Sequence, residues 1–169
     1  MIVKVVQYQD NWSELYQKEK SALLNALGDI LLNIHHIGST AVKGLAAKPV
    51  IDIMIEVGAL TKLDQVSARF EELGYEVMGE LGMKGRRYYR KGGDERTHQI
   101  HGFMLGDAHV HRHIAFRDYL IAHPSVMDEY QALKIKLAST CNNDIELYCD
   151  GKDHFVKYHE NQAINWLLR

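Results

Sequence analysis

The stretch HIGSTAVKGLAAKPVIDIMIEV, residues 36–57, constrains this chain more than any other. Pro49 lacks a backbone donor and fixes its own φ, so helix is closed off just where a β-branched, almost wholly apolar run begins. Residues 50–57 therefore read as a strand, and Gly38-Ser39-Thr40 as the turn that ends a preceding strand within residues 29–37. Strand alternation puts Ile51, Ile53 and Ile55 on the core face and Asp52, Met54 and Glu56 on the other. One carboxylate, Asp52, is thus set opposite the core and close to a Gly-Ser turn. Backbone amides with a hydroxyl can hold a phosphate, and a strand carboxylate can hold its metal. Equally, Gly38 and Gly44 can serve turns alone, with Asp52 a solvated residue at the strand edge. The eight-residue P-loop pattern is absent, since Lys48 follows Gly44 but precedes a proline and a strand, and there is no dinucleotide-type Gly-rich fingerprint.

The rest of the chain supplies partners for that strand. Residues 2–6 are β-branched and predict an opening strand. Asp10 or Asn11 can cap a helix carrying Trp12, Leu15, Tyr16, Leu23 and Leu27, ended by Gly28. Thr61 with Asp64 forms a capping-box pattern ahead of Leu63, Val66, Phe70 and Leu73, which predicts one helix stopped by Gly74. Residues 75–79, 87–90 and 97–105 read as strands separated by glycine turns. Three helices follow, over 111–122, 125–140 and about 150–168. In the last two, the stripes Val126, Met127, Tyr130, Leu133, Leu137, Cys141 and Phe155, His159, Ala163, Trp166 read as core. The expectation is an α+β (mixed α/β) fold, a mixed sheet flanked by helices with a C-terminal helical segment, in one domain over residues 1–169.

Composition narrows the function classes. A net charge of -2, with the ten histidines neutral, argues against general nucleic-acid binding but allows a local basic pocket. No charged leader precedes a long apolar segment, and the run 50–57 is interrupted by Asp52 and Glu56, so a cytoplasmic protein without a membrane span is expected. Cys141 and Cys149 lack a paired framework and read as reduced thiols. His36, two residues before Gly38, and His101, on the later strand, can approach Asp52 as a mononuclear Zn²⁺ or Mn²⁺ set. The alternative, preferred here, is that they are pocket histidines hydrogen-bonded to a phosphate or to Asp52. His109, His111 and His113 read as a solvated loop or helix entry.

HIGSTAV-x-GLAAKPVIDI, HQIH at 98–101, FRDYL at 116–120, His123-Pro124, Glu129-Tyr130, Leu133-Lys134 and Tyr148 with Lys152 together resemble the GrpB family over nearly the whole chain. The resemblance implies a nucleotidyltransferase-like fold, whose pattern is a Gly-Ser turn, a strand with two carboxylates one residue apart, and a later strand with a third. Gly38 and Ser39 fall on the turn and Asp52 on the first carboxylate position. Met54 stands at the second, Gln99 and His101 occupy the later strand, and Lys43 replaces the family's usual proline. Glu56 does not fill the gap: at about 3.3 Å per residue it lies roughly 13 Å along the strand, against about 4 Å between the ions of a two-metal site.

By resemblance, Gly38, Ser39, Thr40, Lys48, Arg87, Arg117, Lys134, Tyr148 and Lys152 would hold a phosphorylated ligand. Arg86 would stand beside them, while the ordinary structural reading pairs Arg117 with Asp118 or Asp128. Asp52 would hold Mg²⁺ or Mn²⁺, with Zn²⁺ less favoured, and His101 would act as general base or further ligand. The expected function is binding of a nucleotide or phosphorylated metabolite, with Mg²⁺-dependent nucleotidyl or phosphoryl transfer as its catalytic form. The alternatives are a non-catalytic binding module, or a mononuclear hydrolase built on His36, Asp52 and His101. GrpB-like domains also occur fused to dephospho-CoA kinase, a hint of coenzyme A metabolism.

Overall fold

In a computed structural model that describes residues 2–168, five strands form one mixed sheet. They are β1 (Asn33–Ile37), β2 (Ile51–Val57), β3 (Glu76–Val77), β4 (Arg87–Lys91) and β5 (His98–Met104), in the order β1-β2-β5-β4-β3. β2 and β5 run parallel at the centre, and every other pairing is antiparallel. The α+β expectation holds, including the helical C-terminal segment: α1 (Asn11–Leu27), α2 (Leu60–Asp64), α3 (Ser67–Glu72), α4 (Ala108–Ala122), α5 (Pro124–Thr140) and α6 (Ile145–Leu167).

The isoleucine face of β2 is the larger core. Ile51, Ile53, Ile55 and Val57 pack with Trp12, Leu23 and Leu27 of α1, Leu63, Phe70 and Ile100. Each such side chain withdrawn from water contributes roughly 1.5–3 kcal/mol. The opposite face is only partly open. Met54 is fully buried with Ile37, Phe103 and Val110 beneath α4, so β2 is covered on both sides along most of its length and opens only at its Asp52 end.

Four local expectations need correction. Residues 2–6 do not form a strand: Val6 alone pairs with Ala47, while Val3 packs on Cys141 and Tyr148 and its amide donates to Asn143 Oδ1 at 3.2 Å. The single helix expected after Thr61 is two, broken at Gln65-Val66, because no side chain caps the first and the Asp64 carboxylate is engaged by Arg87 instead. Of the solvated loop and the helix entry expected for the histidine-rich segment, the structure has the helix entry, where Asp107 caps α4 by accepting from the His109 amide at 2.8 Å. His113 lies deep enough that burial, followed by the nearby Arg112, pulls its ionisation down to about 3. The last helix also begins earlier than expected, where Asp144 accepts from the amides of Glu146 and Leu147.

Candidate functional site

A cavity of about 460 Å³ lies at the open end of β2, between the sheet and the last two helices. Its sheet side starts with the turn after β1. Gly38 has φ +73°, and a Cβ there would stand 2.8 Å from Asp52 Oδ2, so only glycine lets the turn close onto the carboxylate. Ser39 and Thr40 follow in a short 3₁₀ turn and line the same cavity as Asp52.

The helical side is set by two tyrosine–lysine pairs at i, i+4. Tyr130 and Lys134 lie one turn apart on α5, with Lys134 Nζ 4.5 Å from the Tyr130 ring centre. Tyr148 and Lys152 repeat the spacing on α6, with Lys152 Nζ 5.0 Å from the Tyr148 ring. The Lys48 ammonium approaches the same ring at 5.3 Å. Close packing of the two helices brings the pairs together: a Cβ at Gly151 would overlap the Leu137 side chain of α5. The loop bearing Lys48 is held by the Ala46 amide, which donates to Gln131 Oε1 of α5 at 2.8 Å, and by the Val6–Ala47 bridge. Val42 and Leu45 anchor it on Leu120 and Tyr130.

The charge of the lining is lopsided. Lys48, Lys134 and Lys152 are joined by Arg90 and Arg96, while Asp52 is the one carboxylate among the described lining residues. Lys134 is 1% exposed and its Nζ has no hydrogen-bond partner among the described residues. Burial, followed by the charges of Lys152 and Lys48, pulls its ionisation down to about 6. Lys48 is lowered by the same two causes, burial and then Lys152. Burial pushes the Tyr148 phenol up to about 12, so it stays protonated.

Asp52 keeps part of its surface open, with its side chain 28% exposed. His101 Nε2 lies 3.3 Å from Asp52 Oδ1. Across the parallel register Asp52 faces Gln99. With its amide oriented to match its neighbours, Gln99 donates to Asp52 Oδ1 at 2.9 Å and accepts from Arg96 at 3.1 Å and from the Tyr88 hydroxyl at 3.2 Å. To donate to the carboxylate, His101 must carry a proton on Nε2; its Nδ1 is buried without a hydrogen-bond partner among the described residues.

The cavity therefore gathers Ser39, Thr40, Lys48, Asp52, Lys134, Tyr148 and Lys152 from the residues singled out in the sequence, with Gly38 and His101 touching Asp52 from behind. Three others lie elsewhere. Arg87 points to the Tyr89 side of the sheet and forks onto Asp64 at 2.7 and 3.0 Å. Arg117 pairs with Asp118 at 2.9 Å and donates to the His36 carbonyl at 3.1 Å, which steadies the strand end before the Gly38 turn. His36 is opposite Ile53 in register, so it faces away from Asp52. It stacks on Tyr16 at 4.6 Å, meets Thr40 Oγ1 at 2.9 Å, and is pulled down to about 4, chiefly by burial.

Among the described residues no three His, Cys, Asp or Glu side chains are grouped as a metal centre requires, so the His36–Asp52–His101 set does not assemble. The second carboxylate position, Met54, is core, and Glu56 is engaged by His35 at 2.9 Å and by the Gly106 amide at 3.2 Å. Residues missed in the sequence are Arg90, Arg96 and Gln99. The alternation of β4 carried a signal for Arg90: with Tyr89 in the main core, Arg87 shares its face and Arg90 takes the other.

The comparisons agree with this architecture. UPF0157 protein YqkA of Bacillus subtilis is 41% identical over 97% of this chain, which spans 48% of that longer protein. The crystal structure of conserved protein GrpB from Enterococcus faecalis superimposes with a TM-score of 0.95 at 40% identity, covering 98% of this chain and 100% of that one. More distantly, the structure of Cid1 in complex with its short product ApU matches with a TM-score of 0.53 at 14% identity, over 77% of this chain and 42% of that one. That likeness is one of fold. No helix of the described residues is long and apolar enough to cross a membrane. With the GrpB protein family model matching residues 2–162, the chain belongs to the GrpB family.

Proposed function

We propose that this protein binds a phosphorylated small molecule, a nucleotide or another phosphorylated metabolite, in the cavity between β2 and the α5–α6 pair. One observation carries the reading: five basic side chains, one of them a fully buried lysine without an acceptor, line a cavity with a single carboxylate among its described lining residues. Buried charges of one sign need a counter-charge, and among the described lining residues only Asp52 supplies one. Lysines give point charges to phosphate oxygens and arginines give forked donors. Ser39 adds a hydroxyl on the sheet side, while the Thr40 hydroxyl is taken by His36 and the Val50 carbonyl. Asp52 repels phosphate, so it faces the uncharged part of the ligand, where it can accept from a hydroxyl.

The lining does not fit a two-metal transfer. Such a site holds ions about 4 Å apart with shared carboxylates, and Asp52 stands beside Gln99 and His101 rather than further acids. Binding without turnover is the reading favoured over nucleotidyl transfer.

Isothermal titration with nucleoside triphosphates and sugar phosphates, each beside its unphosphorylated parent, tests the proposal. Phosphorylated compounds should bind, their parents should not, and Lys152→Ala should weaken binding at least about tenfold, the equivalent of about 1.4 kcal/mol. Parents that bind as well as their phosphates would overturn it. Pyrophosphate release with Mg²⁺ or Mn²⁺, abolished by Asp52→Asn, would replace it with the transferase reading.

A further inference from the structure

The cavity's most unusual group is Lys134. Lysine is almost never fully buried unless paired, yet this one lines the cavity with its ammonium position hidden from bulk water and without an acceptor. Its surroundings explain why it has none. From its own helix it meets the Tyr130 ring, and α6 brings Tyr148, Cys149 and Lys152 to the same cavity. The loop ahead of β2 brings Lys48, β4 brings Arg90, and the turn before β5 brings Arg96. Only Asp52 is negative among these described groups, and it is already engaged by His101 and Gln99. Three amines thus converge with too little counter-charge for all to be protonated together.

We propose that Lys134 is a neutral amine in the empty cavity and becomes an ammonium as the anion enters, so that ligand binding takes up a proton. This rests on the anion-binding reading above and goes beyond it by giving Lys134 a distinct role: it selects ligands that bring enough negative charge to hold a third ammonium. The depressed ionisation of Lys134, caused first by burial and then by Lys152 and Lys48, is in keeping with that placement. An entering dianion supplies both the acceptor and the charge. By linkage, affinity for such an anion falls as the pH rises above the ionisation of the empty site, approaching tenfold per pH unit until the bound amine itself deprotonates.

Sulfate is a suitable probe because it stays a dianion throughout and contributes no proton of its own. Unbuffered protein at about pH 8, where a free lysine is charged, is titrated with sodium sulfate on a pH-stat, against sodium chloride of equal ionic strength. Uptake approaching one proton per sulfate bound is expected, with affinity falling several-fold or more between about pH 7 and about pH 8. Lys134→Met should still bind sulfate, more weakly, with little proton uptake. Sulfate binding without uptake in the native protein would overturn this inference while leaving the anion site standing, as would uptake that persists in Lys134→Met. Failure of sulfate to bind at all would overturn both.

Discussion

Replacing Lys134 by methionine isolates the cost of hiding an amine that has no acceptor. The side chain is 1% exposed, and its ionisation falls from 10.5 to about 6 through burial, then Lys152 and Lys48. At neutral pH the unfolded chain carries a proton on this amine and the folded chain does not. Each pH unit between the two values is worth about 1.36 kcal/mol, so at pH 7 the amine holds back roughly 5 kcal/mol of stability. The sign follows from proton counts: the unfolded state binds the extra proton, so native stability rises with pH between about 6 and 10.5. Below about pH 6 both states are protonated and the penalty is at its full value, roughly 6 kcal/mol. Methionine is similar in length and uncharged, so it removes the penalty without opening a large void. Lys134→Met should therefore be more stable than the native protein by several kcal/mol at neutral pH, with the gain widest in acid and shrinking toward pH 10. Urea unfolding followed by circular dichroism across that range measures it. A destabilised methionine variant, or a gain that does not change with pH, would refute the reasoning.

Three further substitutions probe the framework of the site. Gly38→Ala forces a Cβ to within 2.8 Å of Asp52 Oδ2 at a φ of +73°; it should cost about 1–3 kcal/mol and shift the His101 ring resonances, and unchanged stability would count against the close turn. Gly151→Ala improves intrinsic helix propensity by about 1 kcal/mol, yet overlap with Leu137 should make it destabilising; Gly151→Ala combined with Leu137→Ala should show favourable coupling in a double-mutant cycle. Arg87→Ala should cost no more than about 1 kcal/mol, since its Asp64 partner is 48% exposed. Sulfate binding should be unchanged in that variant, and a clear loss would return Arg87 to the cavity.

Much of the molecule follows from local rules that act along the chain. Pro49 and the alternating isoleucines specify β2 and its core face, and Gly28 ends α1 where the apolar stripe stops. The family pattern likewise marked Ser39, Lys48, Asp52, Lys134, Tyr148 and Lys152, and these do share one cavity. Other features depend on partners distant in sequence. Whether Asp64 caps a helix or binds an arginine is decided by β4, where Arg87 reaches it with a bidentate pair that a local cap does not match.

Register decides the fate of the histidines and arginines. His36 and Ile37 are adjacent in the chain, but pairing with β2 sends Ile37 to the Asp52 face and His36 to the Tyr16 side. The same two-residue period sends Arg87 away from the cavity and Arg90 into it. Sequence alone thus determined β2, the glycine turn and the tyrosine–lysine spacing on α5 and α6, because each rests on spacing within a few residues, but not that residues 2–6 stay out of the sheet. Tertiary structure decided that three lysines line the cavity that holds Asp52 and that one of them is sealed from water. Burial is a property of what packs around a side chain, and for Lys134 it depends on α6 docking at Gly151 and on the Lys48 loop held by Gln131.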